Sequence, residues 1–124
     1  MRIVVAGLLI IHGVAHLPGF VVPWRLVAPR EMPYKTTLFA GLVNVGDAGI
    51  RVVGMLWLVA ALALAMCGIG VLARAPWWTP VTLTAALFSL LLSIAGWPES
   101  RIGVFVNVAL LALLVLNRQV GWLR

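Results

Sequence analysis

Apolar residues fill four long stretches of this chain, and the polar residues collect between them. The stretches cover about residues 3–22, 48–72, 78–97 and 102–118. Each is long enough, or nearly so, to cross a hydrocarbon core of ~30 Å at about 1.5 Å per helical residue. They are runs of Leu, Val and Ala without the recurring polar face of a surface helix. In lipid, a helix is the solution that satisfies its own backbone. The pattern predicts an all-α fold: a four-transmembrane-helix bundle in one integral membrane domain, 1–124, with both termini on the same side.

The connections are unequal. Prolines at 76 and 98 mark tight turns between the later spans. The link over 23–47 is long and opens with "PWRLVAPREMP", a Pro- and Arg-rich loop. Tyr34, Leu38 and Leu42, with Phe39 beside them, recur at helical spacing and suggest a short interfacial helix. A strand over "TTLFAGLVNV" is the alternative. Small residues Gly54, Ala61, Ala65 and Gly68 line one side of the second span, a seam on which another helix can pack closely.

Composition sharpens this picture. Hydrophobic residues make up 64% of the chain and charged residues 10%, whereas a soluble domain is about half apolar and a quarter charged. The formal charge is +6, from nine Lys and Arg against three acids. The basic residues sit singly at the ends of apolar runs, as membrane flanks do, and this spacing argues against nucleic acid as a partner. Trp24, Trp77, Trp78, Trp97 and Trp122 also fall near predicted helix ends, as in an aromatic belt, while Trp57 lies inside the second span. Cys67 is the single cysteine and reads as a small hydrophobe. Arg2 and the small residues at 13–15 resemble a cleavable leader, but the apolar run continues past them, so this segment reads as a span.

The predicted topology gathers the polar groups. The long loop and the turn after Trp97 share one end of the bundle, which therefore holds Glu31, Asp47 and Glu99 together with Arg25, Arg30, Lys35, Arg51 and Arg101. Arg2, Arg74, Arg118 and Arg124 form a plain basic rim at the other end. This weakly favours termini in the cytoplasm. His12 and His16 lie on one face of the first helix and project toward the polar end. Polar residues within a span usually face the bundle interior. Asp47 and Arg51 are spaced for an ion pair at the start of the second helix, with Asp47 suited to its N-terminus. Glu99 and Arg101 flank a turn near the headgroups, and Asn107 is placed to hydrogen-bond to a histidine across the bundle.

The histidine pair admits several readings. The spacing of the two histidines occurs in zinc-binding helices, but the glutamate that follows the first histidine there is Gly13 here. Haem ligation by both is geometrically poor, since axial ligands approach opposite faces. Acid–base or proton-relay chemistry remains, as does a structural role in hydrogen bonds near the break made by Pro18 and Gly19. The candidate catalytic residues are His12, His16, Asp47 and Glu99. The candidate ligand-binding residues are Arg51, Trp24, Phe20, Trp97 and Asn107. The pattern assigns no metal and no cofactor.

The first span, Gly7-Leu8-Leu9-Ile10-Ile11-His12-Gly13 leading to His16-Leu17-Pro18-Gly19-Phe20, resembles the first span of DoxX-like small bacterial membrane proteins. The start of the second, Gly49-Ile50-Arg51-Val52-Val53-Gly54-Met55-Leu56-Trp57-Leu58, is similar to their entry into a helix. The resemblance implies a four-helix bundle in the bacterial cytoplasmic membrane and attaches no particular activity to it. Many such proteins carry a lysine late in the first span, where this chain has His16-Leu17. Small multidrug transporters match in length and span number, but the first span here lacks the carboxylate on which their coupling depends.

Three functions fit these features. The polar end binds or transforms a lipid-soluble small molecule by acid–base chemistry; or the chain is a non-catalytic accessory subunit packing through its small-residue seam, within a homo-oligomer or a larger membrane complex; or it is a proton-coupled transporter with a histidine relay. A pocket reaching His12 from the polar end favours the first. Histidines plugged by side chains favour the second. A polar path continuing past His12 favours the third.

Overall fold

The computed structural model describes residues 1–123; Arg124, counted above with the basic rim, lies outside the described residues. Five helices are present: α1 (Arg2–Val14), α2 (Pro18–Val21), α3 (Gly46–Leu72), α4 (Trp78–Ala95) and α5 (Arg101–Val120). Taken together, α1 and α2 form one apolar unit, Arg2–Val21, and α3, α4 and α5 form three more. All four units are long and apolar enough to cross a membrane.

The long loop differs from the interfacial helix that the Tyr34, Leu38, Leu42 spacing suggests. It carries a two-stranded antiparallel hairpin, β1 (Thr37–Leu38) and β2 (Val43–Asn44), with Thr37 opposite Asn44 and Leu38 opposite Val43. The reason is local. Phe39, Ala40 and Gly41 all take positive φ angles, of 53°, 54° and 88°, and such a run turns the chain back instead of winding it. The tip then docks on the end of α4. Phe39 N–H donates to Ala95 O (2.8 Å) and Ala40 N–H to Trp97 O (3.0 Å). Carbonyls at a helix C-terminus have no partner within the helix, and the hairpin supplies one.

Packing is uneven around the bundle. α1 lies closely along α3, α3 packs on α4 and α4 on α5, whereas α1 and α5 barely approach one another. The α1–α3 contact uses the small-residue seam. A Cβ added to Gly13 would stand 2.7 Å from Ala61 O, and one added to Gly68 would stand 2.8 Å from Ala6 O and 2.7 Å from Ile10 Cγ1. Backbone thus meets backbone, as in close helix pairs within membranes. The core at this level is Leu9, Leu64, Cys67, Val71 and Leu114, with Cys67 buried as a small apolar group. α5 is the least covered: 17% of its apolar stretch is buried, against 39% in each of the others.

The far ends of α1, α3 and α5 are tied by one side chain. The Arg2 guanidinium donates to Val71 O (3.1 Å) and Leu123 O (2.5 Å), while Asn117 Oδ1 accepts from Leu123 N–H (2.9 Å).

The seam makes a specific expectation. Gly68→Leu drives a side chain into α1 and is expected to destabilise the fold by about 1–3 kcal/mol, as overpacking does. Gly7 has open space around it, so Gly7→Leu is expected to be neutral or mildly stabilising, since glycine weakens a helix interior. Unfolding of the two variants in one detergent checks this; equal stability would contradict the packing.

Candidate functional site: a polar circuit beside a cleft

The break between α1 and α2 sets the site. Pro18 has no N–H and its ring crowds the preceding turn. The chain tightens ahead of it, so that His16 N–H donates to Gly13 O and Leu17 N–H to Val14 O, each at 3.0 Å and three residues back. A continuing α-helix would have spent His16 N–H on His12 O. That carbonyl is instead free to accept from the His16 ring, with Nδ1 at 2.7 Å. A carbonyl only accepts, so His16 Nδ1 carries the proton.

The other contacts complete a circuit across three helices. His16 Nε2 lies 2.5 Å from Ser89 Oγ on α4. Asn107 on α5 donates through Nδ2 to Ser89 Oγ and to Gly103 O, both at 2.8 Å. His12 Nε2 lies 3.1 Å from Asn107 Oδ1. The Gly103 carbonyl fixes the orientation of the Asn107 amide, because only the NH2 group can face it. Asn107 Oδ1 therefore faces His12, and His12 Nε2 is the donor. The protons are thereby assigned for neutral rings: His12 Nε2–H to Asn107, Asn107 Nδ2–H to Ser89, Ser89 O–H to His16 Nε2, and His16 Nδ1–H back to His12 O. Burial without an opposing carboxylate favours the neutral rings. Asn107 and Ser89 are fully buried, His16 is 2% exposed and His12 9%.

The imidazoles meet edge to face, with centroids 4.7 Å apart at 87°. Trp57 leans on His16 at 5.1 Å. Gly19 makes room for it, since a Cβ there would collide with the indole. Trp57, inside its span, is thus a wall of the site.

Beside the circuit runs a cleft of about 620 Å³ between α1 and α5, which pack little against each other. His12, His16, Trp57 and Ser93 line it, with Glu99 and Ser100 at the end nearest the loop. Beyond His12 it is walled by Val5, Leu8, Leu9, Ala109, Leu110 and Leu113. Its volume lies within the range of small-molecule sites, ~300–1,000 Å³.

The structure brings together His12, His16 and Asn107, and sets Glu99 on the same cleft. It does not bring Asp47, Arg51, Trp24, Phe20 or Trp97 to the cleft lining. The Asp47–Arg51 pair does not form. The loop folds back over the start of α3, and Asp47 Oδ1 accepts from Arg25 (3.3 Å) and from the Tyr34 hydroxyl. Arg25 also lies over the Tyr34 ring at 4.3 Å. Arg51 stands 5.9 Å from the Trp24 ring, whose Nε1–H donates to Arg51 O (3.1 Å), and Phe20 sits 6.0 Å from Trp24. Asp47 lies in the first turn of α3, not at its cap; Asn44 Oδ1 accepts from Gly46 N–H (3.0 Å) there. Trp97 is half-exposed, and its carbonyl holds the hairpin. Glu99 pairs with Lys35 at 2.7 Å.

Ser89 and Ser93 belong to the candidate site, and the histidine-centred reading passes over them. Their signal is present: two serines four residues apart in the second half of the third span, past its threonines, the same spacing as His12 and His16 and as Gly103 and Asn107. Among the described residues, no three His, Cys, Asp or Glu side chains converge as metal ligands do. Both nitrogens of His16 are already engaged by protein partners.

The Lys35–Glu99 pair ties the loop to the mouth. Partial burial alone would raise the Glu99 pKa, but the hydrogen bond and charge of Lys35 outweigh it and hold the carboxyl below its usual range. A depressed carboxylate stabilises the fold above its unfolded pKa, about 4.3, and that contribution is lost as pH falls through the folded value. Amide exchange across residues 31–45, corrected for intrinsic rates, is therefore expected to be faster in Glu99→Gln than in wild type at pH 7. The difference should shrink below about pH 4. Identical exchange at pH 7 would contradict the tie.

Comparison with protein-family models, curated proteins and solved structures finds no match to this chain.

Proposed function

We propose that this is a multi-pass membrane protein that binds a lipid-soluble small molecule in the α1–α5 cleft, with the polar part of the molecule against His12. The observation that carries the reading is the cleft itself: about 620 Å³ of largely apolar space that reaches a polar circuit from the loop end. The remaining partner is the bilayer, onto which the exposed apolar residues of all four units face, among them Ile3, Leu62, Leu91 and Phe105. Both termini lie on one side; the link from Arg2 to Leu123 O supports this. The DoxX-like resemblance of the first span and of the start of α3 is in keeping with four spans in a bacterial cytoplasmic membrane.

Binding is favoured over acid–base turnover because both carboxylates are already paired and only Glu99 reaches the cleft, at its mouth. Asp47 is engaged by Arg25, and Glu99 by Lys35. An accessory role through the small-residue seam is disfavoured because α1 already covers Gly68 and Ala61 within the chain. A proton path is disfavoured because the cleft beyond His12 is wholly apolar.

Native mass spectrometry of gently extracted protein tests this. Wild type is expected to retain a small apolar molecule at one per chain. Ala109→Trp, which fills the cleft without touching the circuit, is expected to lose it while keeping wild-type stability. A ligand-free wild type that co-purifies with a stoichiometric partner protein would overturn the reading in favour of an accessory subunit.

A further inference from the structure

Resting on the cleft-binding reading, we infer that the occupant is a lipid-soluble alcohol or phenol whose hydroxyl donates a hydrogen bond to His12 Nδ1. The circuit dictates this through its proton positions. Asn107 Nδ2 must face Gly103 O, so Asn107 Oδ1 must face His12 Nε2, and that nitrogen holds the ring's single proton. The neutral His12 ring then has a bare lone pair on Nδ1. No side chain or backbone group among the described residues bonds to that atom, and His12 lines the cleft.

A second polar group points to the same kind of ligand. Ser93 is fully buried, and its hydroxyl is without a partner although the residue lines the cleft. It lies against α5 at Gly103, where an added Cβ would come within 2.6 Å of Ser93 Oγ. The cleft therefore offers one obligate acceptor, His12 Nδ1, and one hydroxyl that can give or take a proton. A carbonyl or ether could accept from Ser93, or from the Trp57 indole, but would leave His12 Nδ1 bare. A hydroxyl donates to His12 and still accepts. An anionic head is disfavoured, since no Lys or Arg lines the cleft and the one charged lining residue is Glu99, itself paired with Lys35.

Matched probes test the inference: farnesol and farnesyl methyl ether, which share the isoprenoid body and differ in a methyl group replacing the hydroxyl proton. Wild-type protein in nanodiscs is expected to bind the alcohol roughly 10-fold more tightly than the ether, the scale of one buried hydrogen bond. In His12→Phe the preference should fall to within about 2-fold. Should that variant fail to fold, the wild type decides alone: the nitrogen resonance of His12 Nδ1 is expected to move on saturation with farnesol and to stay with the ether. Equal affinity for both probes with no movement of that resonance overturns the hydroxyl inference and leaves cleft binding standing. Failure of both probes to bind wild type overturns both.

Discussion

A proline without an N–H, placed where a helix would need one, frees a carbonyl, and the site grows from that carbonyl. Pro18 tightens the turn before it, His16 N–H moves to Gly13 O, and His12 O is left for the His16 ring. With Nδ1 held, His16 Nε2 faces α4 as an acceptor and takes the Ser89 hydroxyl. Ser89 in turn accepts from Asn107, and Asn107 accepts from His12. A local backbone event in the first span thus sets the proton positions on His16 and Ser89, and the Gly103 carbonyl on α5 sets those on Asn107 and His12. Such a circuit has high stakes inside an apolar bundle, because a polar group left without its partner there costs about 1–3 kcal/mol.

The same circuit accounts for the cleft. α1 is committed to α3 through glycine and alanine contacts that leave no room for adjustment, and α5 is committed to α4. α1 and α5 share the apolar core around Leu9 and Leu114 but make few direct contacts. The His12–Asn107 hydrogen bond spans them on the inner side, and the space outside it stays open. At the loop end, Lys35 ties the loop to Glu99 at the mouth, while the hairpin tip occupies the exposed carbonyls at the end of α4. At the opposite end, Arg2 gathers carbonyls of α3 and of the segment after α5. The bundle is therefore pinned at both ends and parted along one side.

Much of this was legible from apolar runs alone. Four stretches of Leu, Val and Ala have one good solution in lipid, and the helices fall within a few residues of the predicted limits. The seam at Gly68 and the reach of Asn107 toward a histidine were legible for a similar reason: small or polar residues inside a span need a neighbouring helix. The loop was not. Its hairpin depends on positive φ angles at Phe39 and Ala40, which no side-chain preference announces. The Asp47 ion pair was not legible either: spacing along one helix points to Arg51, while the returning loop delivers Arg25 and Tyr34. Ser89 was passed over because serine is common in apolar spans; only its three-dimensional place between His16 and Asn107 gives it weight.

The central claim is that the two imidazoles are held in opposite proton arrangements by one circuit. Nitrogen NMR of selectively histidine-labelled wild-type protein in bicelles at neutral pH tests it most directly. The account predicts a proton on Nε2 of His12 and on Nδ1 of His16, each static and each coupled to its own nitrogen. The same tautomer on both rings, or rapid averaging between tautomers on either, would contradict it.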